Sequence, residues 1–189
     1  MFKARIKLTG LSPLSMSRYH RIERGDKEPG ADYEKRIWRE KLHYNDKGYV
    51  IIPAMMIKNC IAEASKYLGD RIEGKGKSTY TKHFDAGILI EDNIVLKIHK
   101  DKVGEEWVFV PSDGKKGGSS RVDKCFPKIP EGWSGEVTVF ILDETITKPV
   151  FEKHLTEAGR FIGLGRWRPR NGGLYGRFDA KLLSWAKAI

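Results

Sequence analysis

Cysteine is scarce in this chain: only Cys60 and Cys125 occur among 189 residues, far apart and without a Cys or His partner at metal-ligand spacing. That excludes a cysteine-built zinc site and a disulfide scaffold, and it predicts a reduced, cytoplasmic protein with no structural metal. Long apolar runs are missing too, as is a basic amphipathic helix, so neither a bilayer span nor a surface anchor is expected. The amino terminus, Met1-Phe-Lys-Ala-Arg, alternates charge with apolar residues and lacks a signal-peptide core. Negative charge is the scarcer sign. The 25 Asp and Glu stand against 35 Lys and Arg, a formal net charge of +10. Such a surplus favours polyanions, nucleic acid first and acidic membrane second.

What the chain does have is concentrated in Phe161-Ile-Gly-Leu-Gly-Arg-Trp-Arg-Pro-Arg-Asn-Gly-Gly-Leu-Tyr-Gly-Arg-Phe178. Gly163, Gly165, Gly172, Gly173 and Gly176 let the backbone turn and approach a ligand closely. Arg166, Arg168, Arg170 and Arg177 offer guanidinium forks for phosphate, and Trp167 and Tyr175 offer faces for unpaired bases. The spacing excludes better-known glycine loops. The third glycine of a dinucleotide fingerprint is replaced by Arg168, and the segment has no Gly-Lys followed by Ser or Thr. No cofactor is expected. Substitution of Arg166, Arg168 and Arg170 by alanine is expected to weaken nucleic-acid binding and leave the fold intact.

Periodicity supplies the frame. Phe2, Ala4, Ile6 and Leu8 alternate with Lys3, Arg5 and Lys7, a strand with one buried and one basic face. Asp32 to Leu42 reads as a short helix capped by Asp32. After the apolar run at 49–52, Pro53 opens a helix whose stripe is Ile57, Cys60, Ile61, Ala64 and Leu68, stopped by Gly69. Residues 70–85 read as a loop, and strand-like runs follow at 86–99, 106–110 and 135–142. Gly114 to Arg121 reads as a flexible basic loop. Thr147 and Pro149 start a second helix with Phe151, Leu155, Ala158 and Ile162 as its buried stripe. A last strand begins at Phe178. The order predicts an α+β fold of ferredoxin-like, RRM-like split βαβ type. It is expected as one domain over 1–189, with insertions at about 10–47 and 111–134.

Three segments together resemble the repeat-associated mysterious protein (RAMP) superfamily, the ferredoxin-like RNA-binding proteins of CRISPR systems. The first strand running into Leu8-Thr-Gly-Leu-Ser-Pro-Leu14 is similar to their opening strand and loop. Val50-Ile-Ile-Pro-Ala-Met-Met-Ile-Lys-Asn-Cys-Ile-Ala-Glu-Ala64 resembles their proline-lysine segment, where a helix begins beside bound RNA. The loop at 163–176 resembles their late glycine-rich loop. Met55, Met56 and Asn59 stand where the family usually has serines and then glycine. The helix segment points to the branch that coats guide RNA as a repeating backbone subunit. The glycine loop fits equally the branch that cleaves repeat RNA, and a freestanding or virus-borne homologue that binds single-stranded DNA or a CRISPR complex as a decoy is a further alternative. The resemblance implies single-stranded RNA, or single-stranded DNA, as partner, within a homo-oligomer or ribonucleoprotein complex. It places Lys58 near the glycine loop. Arg18, Arg21, Arg121 and Lys124 in the insertions are candidate extensions of the track.

Metal-independent RNA cleavage would need a base for the 2′-hydroxyl and an acid or cation opposite. His20, between Tyr19 and Arg21, is the first candidate base and His83, beside Lys82, the second. Asp26, in the turn Arg24-Gly-Asp-Lys27, falls where some backbone subunits carry a cleaving aspartate. No second carboxylate accompanies it to build a metal site. Plain binding is the expected activity.

Overall fold

A computed structural model describes residues 1–112 and 120–188. Strand β1 (Phe2–Gly10) leads through β2 (Leu14–Ser15) into an excursion carrying helix α1 (Gly30–Ile37) and a 3₁₀ turn (Trp38–Lys41). Next come β3 (Tyr49–Ile52), α2 (Ala54–Leu68), α3 (Thr81–Ala86), β4 (Ile88–Leu89) and β5 (Ile94–His99). The chain closes with β6 (Gly104–Pro111), β7 (Arg121–Ile129), β8 (Ser134–Ile141), α4 (Lys148–Glu157) and β9 (Phe178–Lys187).

The main sheet has the order β4-β8-β1-β9, antiparallel throughout. β1–α2–β4 and β8–α4–β9 are therefore two interleaved split βαβ units, the ferredoxin-like plan. The alternation in β1 does what its sequence implies. Ala4, Ile6 and Leu8 are fully buried, against the α2 stripe of Ile57, Cys60, Ile61 and Ala64 and against Phe151 and Leu155 of α4. Lys3, Arg5 and Lys7 point away from that core, and Arg5 meets Glu136 across the sheet at 2.6 Å. Gly69, in the left-handed region at φ 61°, ends α2.

Several local expectations change. The run at 86–99 is two strands: β4 pairs with β8 and β5 with β3. The break between them is used, because the Asn93 side chain accepts the Ala54 amide at the start of α2, at 2.9 Å. Residues 121–129, read as part of a loop insertion, form β7, whose Cys125 and Ile129 are buried and which pairs with β6 and β2. Pro127 and the charged Asp123, Lys124 and Lys128 hide that strand from a propensity reading. The loop at 70–85 contains the start of α3, pinned by the fully buried Phe84. Helix α1 starts at Gly30, and Asp32 lies in its first turn instead of at the cap. Thr147 holds the cap position of α4 without a side-chain hydrogen bond. Phe151, Leu155, Ala158 and Ile162 are buried as expected, but after Glu157 the helix widens into a π turn at Ala158–Ile162. In the basic loop expected at Gly114–Arg121, residues up to 119 lie outside the described residues.

An ion cluster locks the first insertion to the second sheet. The buried Glu34 carboxylate accepts Lys41 Nζ, Lys124 Nζ at 2.7 Å and the Cys125 amide at 3.0 Å. Lys41 Nζ also donates to the Cys125 carbonyl at 2.7 Å. These bonds hold the Glu34 carboxyl below the ordinary glutamate pKa although burial opposes them.

Candidate nucleic-acid interface

The glycine-rich segment leaves the π turn and folds back on β2 and the residues before it. Arg166 N donates to the Ser15 carbonyl at 2.7 Å, Gly176 N to Pro13 at 2.8 Å, and Leu164 N to Gly176 at 2.9 Å. Gly163, Gly165, Gly172 and Gly176 all have φ between 71° and 75°. At Gly176 a Cβ would lie 1.9 Å from the Leu164 carbonyl oxygen, so both dihedral and space require glycine. Gly173 has ordinary φ, but a Cβ there would meet the Trp167 oxygen at 1.8 Å. Trp167 is itself at φ 58°, alone among the described non-glycine residues. The loop is a knitted unit that turns the Trp167 ring outward, edge-on to Tyr175 at 6.0 Å.

Its arginines are held by carboxylates. Arg166 reaches Glu106 of β6 at 3.1 Å and Ser15 Oγ at 3.2 Å, and its guanidinium lies 3.8 Å from the centre of the Phe126 ring. The side chain is only 18% exposed, so Arg166 is partly a packing residue, contrary to a freely exposed loop. Burial pulls its pKa below the usual arginine value while Glu106 pushes it back up. Tyr175 donates its hydroxyl to the same Glu106 carboxylate, and Lys128 approaches it at 3.5 Å. Glu63, on the outward face of α2, takes Arg168 at 2.9 Å and Arg170 at 3.2 Å.

Between the loop and the first turns of α2 opens a cleft of about 410 Å³. Arg166, Arg168 and Asn171 line one wall, Met56 and Asn59 another, with Ser17 and His43 of the first insertion closing it. Burial, reinforced by the nearby Arg18 charge, holds the His43 imidazole below its ordinary pKa. Met56 and Asn59 are positions where the chain departs from the RAMP pattern, and here they face the arginines.

The remaining predicted residues spread out. Lys58 donates to the Asp85 carbonyl at 2.8 Å. Arg18 lies over the Tyr44 ring, and Arg21 is exposed in the insertion. Arg121 reaches the Phe109 carbonyl, and Lys124 belongs to the Glu34 cluster. Arg177 is exposed and donates to the Arg160 carbonyl at 2.7 Å. The residues weighed for catalysis occupy separate places. His83 binds Asp143 at 2.5 Å, tying α3 to the turn after β8. His20 lies 6.4 Å from Tyr33, centroid to centroid, and Asp26 is exposed in its turn. Both cysteines are buried, and burial pushes the Cys60 thiol up to about 12. No helix among the described residues is long and apolar enough to cross a membrane. Sequence reasoning did not select His43, Asn59, Glu63 or Glu106; for Asn59 and Glu63 the signal was there, because they continue a helical stripe from Met56 at spacings of three and four.

The sheet order and the two split βαβ connections define a fold class, the ferredoxin-like fold. Among solved structures, that of Cmr6 from Pyrococcus furiosus superposes with a TM-score of 0.51. It covers 96% of this chain and 99% of the other at 14% sequence identity, and the likeness is therefore one of fold. No family model matches the sequence, and no curated protein matches it.

Proposed function

We propose that this protein binds single-stranded RNA by its phosphate backbone, as a RAMP-type subunit of a CRISPR-related ribonucleoprotein. The observation that carries the reading is the cleft in which Arg166 and Arg168, presented by a rigid glycine loop, face Asn59 across the start of α2. Guanidinium forks match phosphate oxygens, and single strands expose the backbone and unstacked bases that such a loop can reach. Fold likeness to Cmr6 from Pyrococcus furiosus, together with the RAMP-like segments of the sequence, supports the same direction. Arg170 and Trp167 extend the contact, and adjacent copies or other subunits continue the strand.

Fluorescence anisotropy with labelled single-stranded RNA and DNA of one sequence, at several salt concentrations, tests this. Affinity falls steeply with salt because each phosphate contact releases counterion, and sequence preference is weak. RNA recovered intact after incubation separates binding from the nuclease alternative. Absence of salt-sensitive binding to either strand would overturn the proposal.

A further inference from the structure

Helix α2 carries one outward stripe, Met56, Asn59, Glu63 and Tyr67, at spacings of three and four residues that align on one helix face. The stripe starts in the arginine cleft and runs about 12 Å from Asn59 to Tyr67, at 1.5 Å per residue. At its far end Tyr67 lies against Phe161 with ring centroids 5.3 Å apart. Both rings remain open to solvent, Tyr67 at 50% and Phe161 at 43% exposure. Phe161 sits in the π turn, whose neighbour Ile162 stays fully buried, and such turns recur at functional positions. One cation lies over the pair and two more stand close by in the chain, Arg160 being paired with Glu157 at 3.4 Å. The Arg170 guanidinium is 5.7 Å from the centre of the Tyr67 ring, Arg160 is adjacent in the π turn, and Arg177 is tied to the Arg160 carbonyl.

An exposed aromatic pair with an arginine over one ring is unfavourable ground for an apolar protein partner and favourable ground for a nucleotide, whose base stacks while its phosphate meets the guanidinium. Glu63 joins this end to the cleft, since it holds Arg168 on the cleft side and Arg170 beside Tyr67. We propose that Tyr67 and Phe161 form a stacking platform for an unpaired nucleobase of the strand whose phosphates occupy the arginine cleft. The platform rests on the RNA-binding reading above and adds to it a base subsite beyond the glycine loop.

The test compares wild type with the Tyr67→Ala/Phe161→Ala variant by anisotropy, using single-stranded RNA and an equally long phosphodiester chain without bases. Both side chains are half-exposed, so the variant is expected to fold, as circular dichroism will verify. The expected result is a loss of about tenfold or more for RNA, with an unchanged salt slope and no loss for the base-free chain. Tyr67→Phe retains RNA affinity. Ultraviolet crosslinking of 4-thiouridine RNA to the wild-type protein, mapped by mass spectrometry, is expected to mark peptides containing Tyr67 or Phe161. Equal RNA affinity of variant and wild type, equal loss on the base-free chain, or crosslinks confined to other peptides would overturn the platform while leaving the cleft reading intact. Failure of the wild type to bind any single strand would remove both.

Discussion

Glu63 is the residue whose removal separates structural from binding roles in the arginine loop. Its carboxylate holds Arg168 at 2.9 Å and Arg170 at 3.2 Å, both partly exposed. A phosphate entering the cleft must take those guanidiniums from Glu63, so part of each new contact replaces an existing one. Partly exposed pairs are worth about 0.5 kcal/mol each, which makes the intramolecular competition about 1 kcal/mol. Glu63→Gln keeps the shape and an amide oxygen that still accepts from the guanidiniums, so the arginines stay ordered while the charge competition is removed, and affinity for single-stranded RNA is expected to rise about fivefold. One more uncompensated cation also steepens the salt dependence, by about 0.7 in the log–log slope. The assay is anisotropy over a salt series, with Glu144→Gln as control. That carboxylate pairs with the amino terminus, so its loss changes net charge equally in a different setting. Affinity unchanged or reduced in Glu63→Gln, or a Glu144→Gln gain of the same size, would refute the assignment of Arg168 and Arg170 as phosphate contacts.

Arg166→Ala is expected to cost stability as well as binding, about 2 kcal/mol, because it leaves the Glu106 carboxylate with only the Tyr175 hydroxyl and the more distant Lys128, and removes the packing on Phe126. A thermal melt should fall by about 4–8 °C. Gly176→Ala should unravel the loop, given φ 71° and a Cβ 1.9 Å from a carbonyl oxygen, whereas Gly172→Ala, with φ 75° and nothing within 4 Å, should cost only about 1 kcal/mol; urea unfolding distinguishes them. The Glu34 carboxyl titrates lower folded than unfolded, so its contribution is present above its ordinary value of 4.5 and disappears as pH falls through the lower folded value. Glu34→Gln should therefore flatten the acid limb of a stability–pH profile.

The elements legible in the sequence are those whose burial repeats with a single period. Ala4, Ile6 and Leu8 on β1 and Ile57, Cys60, Ile61 and Ala64 on α2 face one core, and their spacing states that directly. β7 was not legible, because Pro127 and three charged residues interrupt a strand whose inward side is identified only by its pairing with β6. The glycine loop was legible as a place, but the state of its arginines was not. Glu106 lies 60 residues from Arg166, and Glu63 lies 107 residues from Arg170. Ion pairs at such separations leave no periodic trace.

That distinction changes what the net charge means at this site. A formal charge of +10 suggests free cations waiting for phosphate, yet Arg166, Arg168 and Arg170 each already hold a carboxylate. Carboxylate and phosphate present similar oxygens to a guanidinium, so binding here is an exchange of partners in a preformed geometry. Preorganisation spares the entropy of ordering three long side chains, and exchange lowers the net gain per contact. The two effects oppose each other in affinity but not in selectivity. A ligand able to bring phosphate and base together, one to the cleft and one to Tyr67 and Phe161, gains over simple polyanions that supply charge alone. Heparin, a polyanion without bases, should therefore compete for Arg168 and Arg170 and remain indifferent to Tyr67→Ala/Phe161→Ala.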